Sequence, residues 1–360
     1  MKNKEVSFPS ADGSFQIHGS LKLPSFSSKN QAKPVPAVLI LNGSGPIDRH
    51  GNVKMPGFLM SLGNMNLNTS NMLSDYLANK QGMAALIYDK RGISKSISKK
   101  DPNLYYKAGV SDLVGDAIQA YRFLLHQSSE DIDINHIFLM GHSEGAILLP
   151  LILEKLTEEK DTSKIPLPKG LIFLCGFGEC IRDVAEYQRE TLVEEVKEQK
   201  GLKGWLLRRV LTKERLERQY NETFIKINQN PKLDYISSHF GLVKQPAKWL
   251  REHLALEDLR PQLSKVDQHC LAIAGANDRQ VRSKFCQQNV ASELVPNAPS
   301  VETHILPGMT HILRSMDGTC HLLDASAEYP RLAKLPLESE LLSIVGKWCR
   351  RQSLEQESEV

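Results

Sequence analysis

Little in this 360-residue chain points to a membrane, a nucleic acid or a metal. No stretch approaches the ~18 uninterrupted apolar residues that a spanning helix needs. The opening Met1-Lys2-Asn3-Lys4-Glu5-Val6 leads into no apolar signal core, so a cytosolic protein without membrane insertion is expected. Charge is nearly balanced, at +3 with 24% charged residues. The basic pairs Arg208-Arg209 and Arg350-Arg351 stand apart instead of forming the stripe that tracks a phosphate backbone, so no nucleic-acid partner is expected. Six cysteines are scattered without the paired spacing of a zinc site. Cys175 and Cys270 sit in or beside apolar runs and are expected as buried thiols.

What is present is a repeated alternation. Apolar runs at Phe15–Leu23, Ala37–Leu41, Ala84–Tyr88, Ile137–Met140, Gly170–Leu174, Leu271–Ala274 and Val301–Leu306 read as strands, the first pairing back onto Glu5–Phe8 through the turn Ser10-Ala11-Asp12-Gly13. Helical stretches separate them, over Thr69–Lys80, Leu113–His126, Ala146–Leu156, Phe285–Leu294 and Glu338–Arg351. Buried strands joined by helices make an α/β fold with a mostly parallel sheet covered on both faces. From Cys180 to Val266 the alternation stops, and no strand-like run is found. Leu206, Leu207, Val210, Leu211 and Leu216 recur there at helical spacing, which predicts a helical cap with apolar faces turned toward the site. The expected organisation is a core over 1–179, a cap insertion over 180–264 and the rest of the core over 265–360. The polar end, Gln352–Val360, is expected to fray.

Chemistry enters at Ile137-Phe138-Leu139-Met140-Gly141-His142-Ser143-Glu144-Gly145-Ala146-Ile147. A Gly-x-Ser-x-Gly between a strand and a helix is the pattern of a nucleophile elbow, where the turn is too tight for side chains at the flanking positions and the serine hydroxyl stands above the sheet edge. Ser143 is the candidate nucleophile. It needs a base, and the base needs a carboxylate that sets its tautomer. Asp278 lies in the turn after the Leu271–Ala274 strand and His311 in the loop after the Val301–Leu306 strand, the chain order expected of such a site. Asp267 and His269 precede a strand, His304 lies inside one, and Asp317 and His321 have no strand before them, so all five rank lower.

Acyl transfer also needs donors for the developing oxyanion. The backbone N–H of Glu144 is one candidate. The N–H of Ser44, in the turn Asn42-Gly43-Ser44-Gly45-Pro46, is the other. A phosphate-cradling reading of that turn fails for want of a following Lys-Ser or Lys-Thr. An Asp89–Arg91 pair is expected to pin its loop, Asp48 and Arg49 to brace the oxyanion turn, His142 and Glu144 to pack and anchor the elbow, and Lys90 and Lys95 to be solvated.

On these residues the chain resembles the α/β-hydrolase superfamily, and within it the carboxylesterase-like group related to thermophilic EstD esterases. The stretches that carry the resemblance are 43–52, 88–96, Gly141-His142-Ser143-Glu144-Gly145, 275–281 and Leu306-Pro307-Gly308-Met309-Thr310-His311. Lys248-Trp249-Leu250 adds to it. The resemblance implies an eight-stranded sheet with a helical cap, a Ser143-Asp278-His311 triad, an oxyanion hole of the Ser44 and Glu144 amides and short-acyl ester substrates; the mechanism itself calls for no cofactor or metal. Thr310 and His50 depart from the group's usual residues. A thioesterase, acyltransferase or peptidase would use the same triad, and a non-catalytic ligand binder on the same fold is the alternative of another class.

Overall fold

A computed structural model describes residues 1–25, 34–54, 64–127, 131–163, 165–176, 179–238, 243–284 and 296–354. The helix expected over Phe285–Leu294 lies outside the described residues.

Eight strands form one sheet: β1 (Lys2–Pro9), β2 (Gln16–Leu23), β3 (Val35–Leu41), β4 (Ala84–Tyr88), β5 (Ile132–His142), β6 (Gly170–Leu174), β9 (His269–Gly275) and β10 (Val301–Leu306). Their order across the sheet is β1-β2-β4-β3-β5-β6-β9-β10. The first hairpin and the β2–β4 pair are antiparallel, and every pair from β4 to β10 is parallel. Parallel strands need crossovers, which α1 (Thr69–Lys80), α2 (Val110–Leu125) and α3 (Glu144–Ser163) supply.

Side chains alternate along each central strand, and the two faces feed separate apolar layers. Leu39, Leu41, Leu139 and Leu171 pack with α2 and α3, while Val38, Ile40, Phe138, Met140 and Ile172 pack with α1 and with α10 (Ser339–Leu354). Trp348 of α10 meets the Phe138 ring edge-on at 5.6 Å between centroids. Buried on both faces, these strands read as continuous apolar runs. Gln352 is buried within α10, which continues to Leu354, so fraying does not begin where the polar composition begins.

Between β6 and β9 lie α4 (Ile181–Glu198), α5 (Gly201–Val210), α6 (Lys213–Gln229), α7 (Ala247–Ala255) and α8 (Arg260–Leu263). The expectation that this stretch holds no strand is corrected: Tyr235–Ser238 (β7) and Val243–Pro246 (β8) pair as a short antiparallel ribbon. Each is only four residues long, too short to show an alternating pattern above its polar surroundings. Helix α7 is tied to the N-terminus of α2, where Glu252 accepts from Ser111 N–H at 2.7 Å and Lys248 reaches Asp112 at 2.7 Å. The carboxylate of Asp112 also accepts from Gly109 N–H at 2.8 Å, capping α2. A short 3₁₀ turn (Leu322–Asp324) and α9 (Ala325–Leu332) precede α10.

Candidate active site

The turn from β5 into α3 is as tight as the sequence demands. A Cβ on Gly141 would fall 2.2 Å from the Gly145 carbonyl oxygen, and one on Gly145 would fall 2.4 Å from that of Leu41. Ser143 sits at φ 55°, a left-handed conformation that costs a non-glycine residue on the order of 1–3 kcal/mol. Its N–H donates to the Leu174 carbonyl at 2.8 Å, which locks the elbow to the end of β6.

The loops after β9 and β10 bring the other two residues to this point. His311 Nε2 lies 3.0 Å from Ser143 Oγ, and His311 Nδ1 lies 2.8 Å from Asp278 Oδ2. The other Asp278 oxygen accepts from the N–H groups of Gln280 at 2.8 Å and Val281 at 3.1 Å, so the carboxylate cannot swing away. With Asp278 facing Nδ1, that nitrogen carries the hydrogen and Nε2 is left as the acceptor facing the serine. Asp278 and His311 are both buried.

The loop after β3 approaches the serine closely enough that a Cβ on Gly43 would lie 3.0 Å from Ser143 Cβ. It is braced from within: Asn42 Nδ2 donates to the Asp48 carbonyl at 3.0 Å, and Asp48 Oδ1 accepts from His50 and Asn52 N–H at 2.9 and 3.0 Å. Asp48 thus braces the loop as expected, but without Arg49, whose side chain turns away from it to Asp89, Glu5 and the Gly19 carbonyl. The ion pairing differs from expectation. Asp89 pairs with Arg49, at 2.8 Å, and Arg91 instead forms a two-pronged bond with Asp116 of α2, both contacts at 2.7 Å. Two residues apart on a bending chain, Asp89 and Arg91 point to different neighbours.

Lys90 corrects a further expectation. It is buried, its ammonium donating to Glu144 at 2.7 Å and to the Gly43 carbonyl at 2.5 Å. Glu144 anchors the elbow, as expected, through partners that sequence reasoning missed. Its other oxygen faces His253 Nε2 at 2.8 Å and accepts from the Trp249 indole N–H, both from α7. Burial by itself would raise the Glu144 pKa, but Lys90 and His253 outweigh it and hold the carboxyl far below the usual carboxylate range. One ionised side chain therefore joins the elbow, the loop after β3 and α7. His142 donates from Nε2 to the His311 carbonyl at 2.7 Å. Burial first, and then the neighbouring His311, push its pKa down to about 4. Arg314, fully buried, ties the His311 loop to the start of α1 through Thr69 at 2.9 Å and the Leu67 carbonyl at 2.5 Å.

A cavity of about 500 Å³ opens over Ser143. Ser44, Glu144 and His311 form its floor, and Val184, Leu216, Phe224, Ile236, Trp249 and Leu254 from the stretch between β6 and β9 contribute its apolar walls. Of the leucines and valines expected to turn inward, only Leu216 does so; Leu206 and Val210 are exposed. Among the described residues no cluster of ligating side chains could hold a metal ion, and no helix is long and apolar enough to cross a membrane.

A mostly parallel eight-stranded sheet with a Gly-Ser elbow at the end of its fifth strand defines an α/β-hydrolase fold. Residues 68–315 match the family described as serine aminopeptidase, S33, and since that is more than half of the chain, the protein belongs to this family of α/β hydrolases. Esterase EstD of Thermotoga maritima is 27% identical over 122 residues, 34% of this chain; the match spans only 24% of EstD. Among solved structures, proline iminopeptidase of Mycobacterium smegmatis superposes with TM-score 0.53 at 12% identity, over 98% of this chain and all of that one. Est1E of Butyrivibrio proteoclasticus, with ferulic acid bound, gives TM-score 0.52 at 15% identity, over 98% and 100% of the two chains. At such identities these structures speak for the fold alone.

Proposed function

We propose that this protein is a serine hydrolase that cleaves carboxylic esters through an acyl-enzyme on Ser143. The observation that supports this most directly is the continuous contact from Asp278 through His311 to Ser143 Oγ, opening onto a mainly apolar cavity. In this reading His311 Nε2 takes the Ser143 proton as Oγ attacks the ester carbonyl, and Asp278 stabilises the imidazolium that forms. The N–H groups of Ser44 and Glu144 receive the developing oxyanion. His311 then protonates the departing alcohol, and water, activated by the same imidazole, releases the acid. The reaction calls for no cofactor or metal.

Segment 180–264 acts as the cap, and its apolar walls select the group bound beside Ser143. An aminopeptidase is the rival that the family's description raises. Such an enzyme has to satisfy the substrate's ammonium, for which a carboxylate is the strong acceptor. Among the described residues lining the cavity the only acid is Glu144, whose oxygens are already engaged by Lys90, His253 and Trp249. That favours an uncharged ester. We place the enzyme in the cytosol, where the buried thiols Cys180, Cys270, Cys320 and Cys349 stay reduced.

The test is labelling of the full chain by a serine-directed fluorophosphonate, followed by hydrolysis of p-nitrophenyl esters, acyl-CoA thioesters and aminoacyl p-nitroanilides. Labelling with turnover confined to esters is expected. Turnover confined to anilides would replace the ester reading, and absence of labelling would favour the non-catalytic binder.

A further inference from the structure

Helix α5 of the cap presents a face that the described part of the fold leaves open. It is held by Gly204, which packs so closely on the backbone of Gln199 that a Cβ there would lie 2.0 Å from the Gln199 carbonyl oxygen, and by half-buried Leu207. Its other large side chains stand in solvent: Leu202 is 80% exposed, Leu206 55%, Val210 51% and Trp205 47%. Soluble surfaces carry such residues singly, and four within one short helix mark an interaction surface.

The helix itself carries charge of one sign, although Lys203 and Lys213 also face Asp324 and Glu217 at 3.9 and 3.8 Å. Between residues 200 and 213 there are five cations, Lys200, Lys203, Arg208, Arg209 and Lys213, and no acid, in a chain whose overall net charge is only +3. The Arg209 guanidinium lies 4.2 Å from the centre of the Trp205 ring, so the cation rides on the aromatic side chain it borders. Exposed apolar residues bordered by Lys and Arg are the composition of a helix that lies in a lipid headgroup layer.

We propose that α5 docks the protein onto an anionic lipid surface, with Leu202, Trp205 and Leu206 entering the boundary between headgroups and acyl chains and the flanking cations meeting acidic headgroups. A second copy of the chain fits less well. A self-complementary contact would bring the cationic border against itself. One helix of ten residues is also short of the roughly 800 Å² per partner that a stable pair buries. Docking goes beyond the hydrolytic reading and does not need it, because lipid binding is read without any substrate.

The test is flotation of the full chain with phosphatidylcholine vesicles and with vesicles containing phosphatidylglycerol. Flotation with the anionic vesicles alone, released by raised salt, is expected. Trp205→Ser with Leu206→Ser, and separately Arg208→Glu with Arg209→Glu, should each lower the bound fraction about tenfold while the unfolding midpoint stays unchanged. None of these residues lines the cavity, so fluorophosphonate labelling should persist in both variants, and its loss in the wild type would count against the hydrolytic reading only. Absence of flotation at low salt, or equal flotation by the variants, would overturn the proposal. Light scattering that finds a dimer which the same substitutions dissociate would assign the face to a second copy instead.

Discussion

Lys90 and Glu144 form an ion pair at 2.7 Å in the floor of the site, with both side chains buried. The pair sits where the loop after β3, the nucleophile elbow and the cap helix α7 meet. It connects the backbone that would hold an oxyanion to the helix that roofs the cavity.

The Ser143→Ala protein is expected to lose fluorophosphonate labelling and ester turnover together, by up to ~10⁶-fold, with its unfolding curve unchanged. His311→Ala should match it. Asp278→Asn should fall less, by about 10⁴-fold, because an amide at that position permits the wrong imidazole tautomer. Undiminished turnover by purified Ser143→Ala would remove the serine from the mechanism.

Lys90→Met should destabilise the protein by about 3–5 kcal/mol in denaturant unfolding, since it removes the cation from a buried carboxylate and leaves one of its oxygens unpartnered. Turnover should fall as well, because the Gly43 carbonyl loses its donor and the loop carrying Ser44 loosens. Adding Glu144→Gln should restore part of the stability, as expected of two residues that form one interaction. Additive losses in the double variant would mean that the pair is not coupled.

Acid should weaken the fold partly through His142. Its pKa is lowered from 6.5 to about 4 in the folded chain, so the unfolded chain binds a proton that the folded one refuses. The stability from this residue is complete above pH 6.5 and is lost as the pH falls toward about 4. His142→Gln should flatten that decline between pH 6.5 and 4.5, above the range where Glu144 adds its own loss. Unfolding midpoints measured across that window decide it, and parallel curves for wild type and variant would exclude His142 as the source.

Dialysis against EDTA should leave ester turnover unchanged, because the proposed oxyanion donors are the amides of Ser44 and Glu144. Activity lost on dialysis and recovered with a divalent ion would require a different electrophile.

The sheet and the elbow were legible in the sequence because their constraints are local. A buried parallel strand must be apolar along its length, and a Gly-x-Ser-x-Gly turn must lack side chains on both sides. Asp278 and His311 were legible by position alone, since loops after neighbouring parallel strands emerge at the same sheet edge. Lys90 was misread as solvated because its partner Glu144 is 54 residues away, and His253 went unnoticed because it meets Glu144 across 109 residues. Arg314 reaches Thr69 over 245 residues. The short β7–β8 ribbon escaped because runs of four residues, Tyr235–Ser238 and Val243–Pro246, are too short to show an alternation.

The architecture, the turn that exposes Ser143 and the loops that carry Asp278 and His311 follow from the order of residues, since backbone sterics and apolar burial act on neighbours along the chain. Which charges pair, and which apolar residues between β6 and β9 face the cavity and which face solvent, are settled only once distant parts of the chain meet. A helix repeating every 3.6 residues has an apolar side in either case, and what that side meets is set by elements far away in sequence.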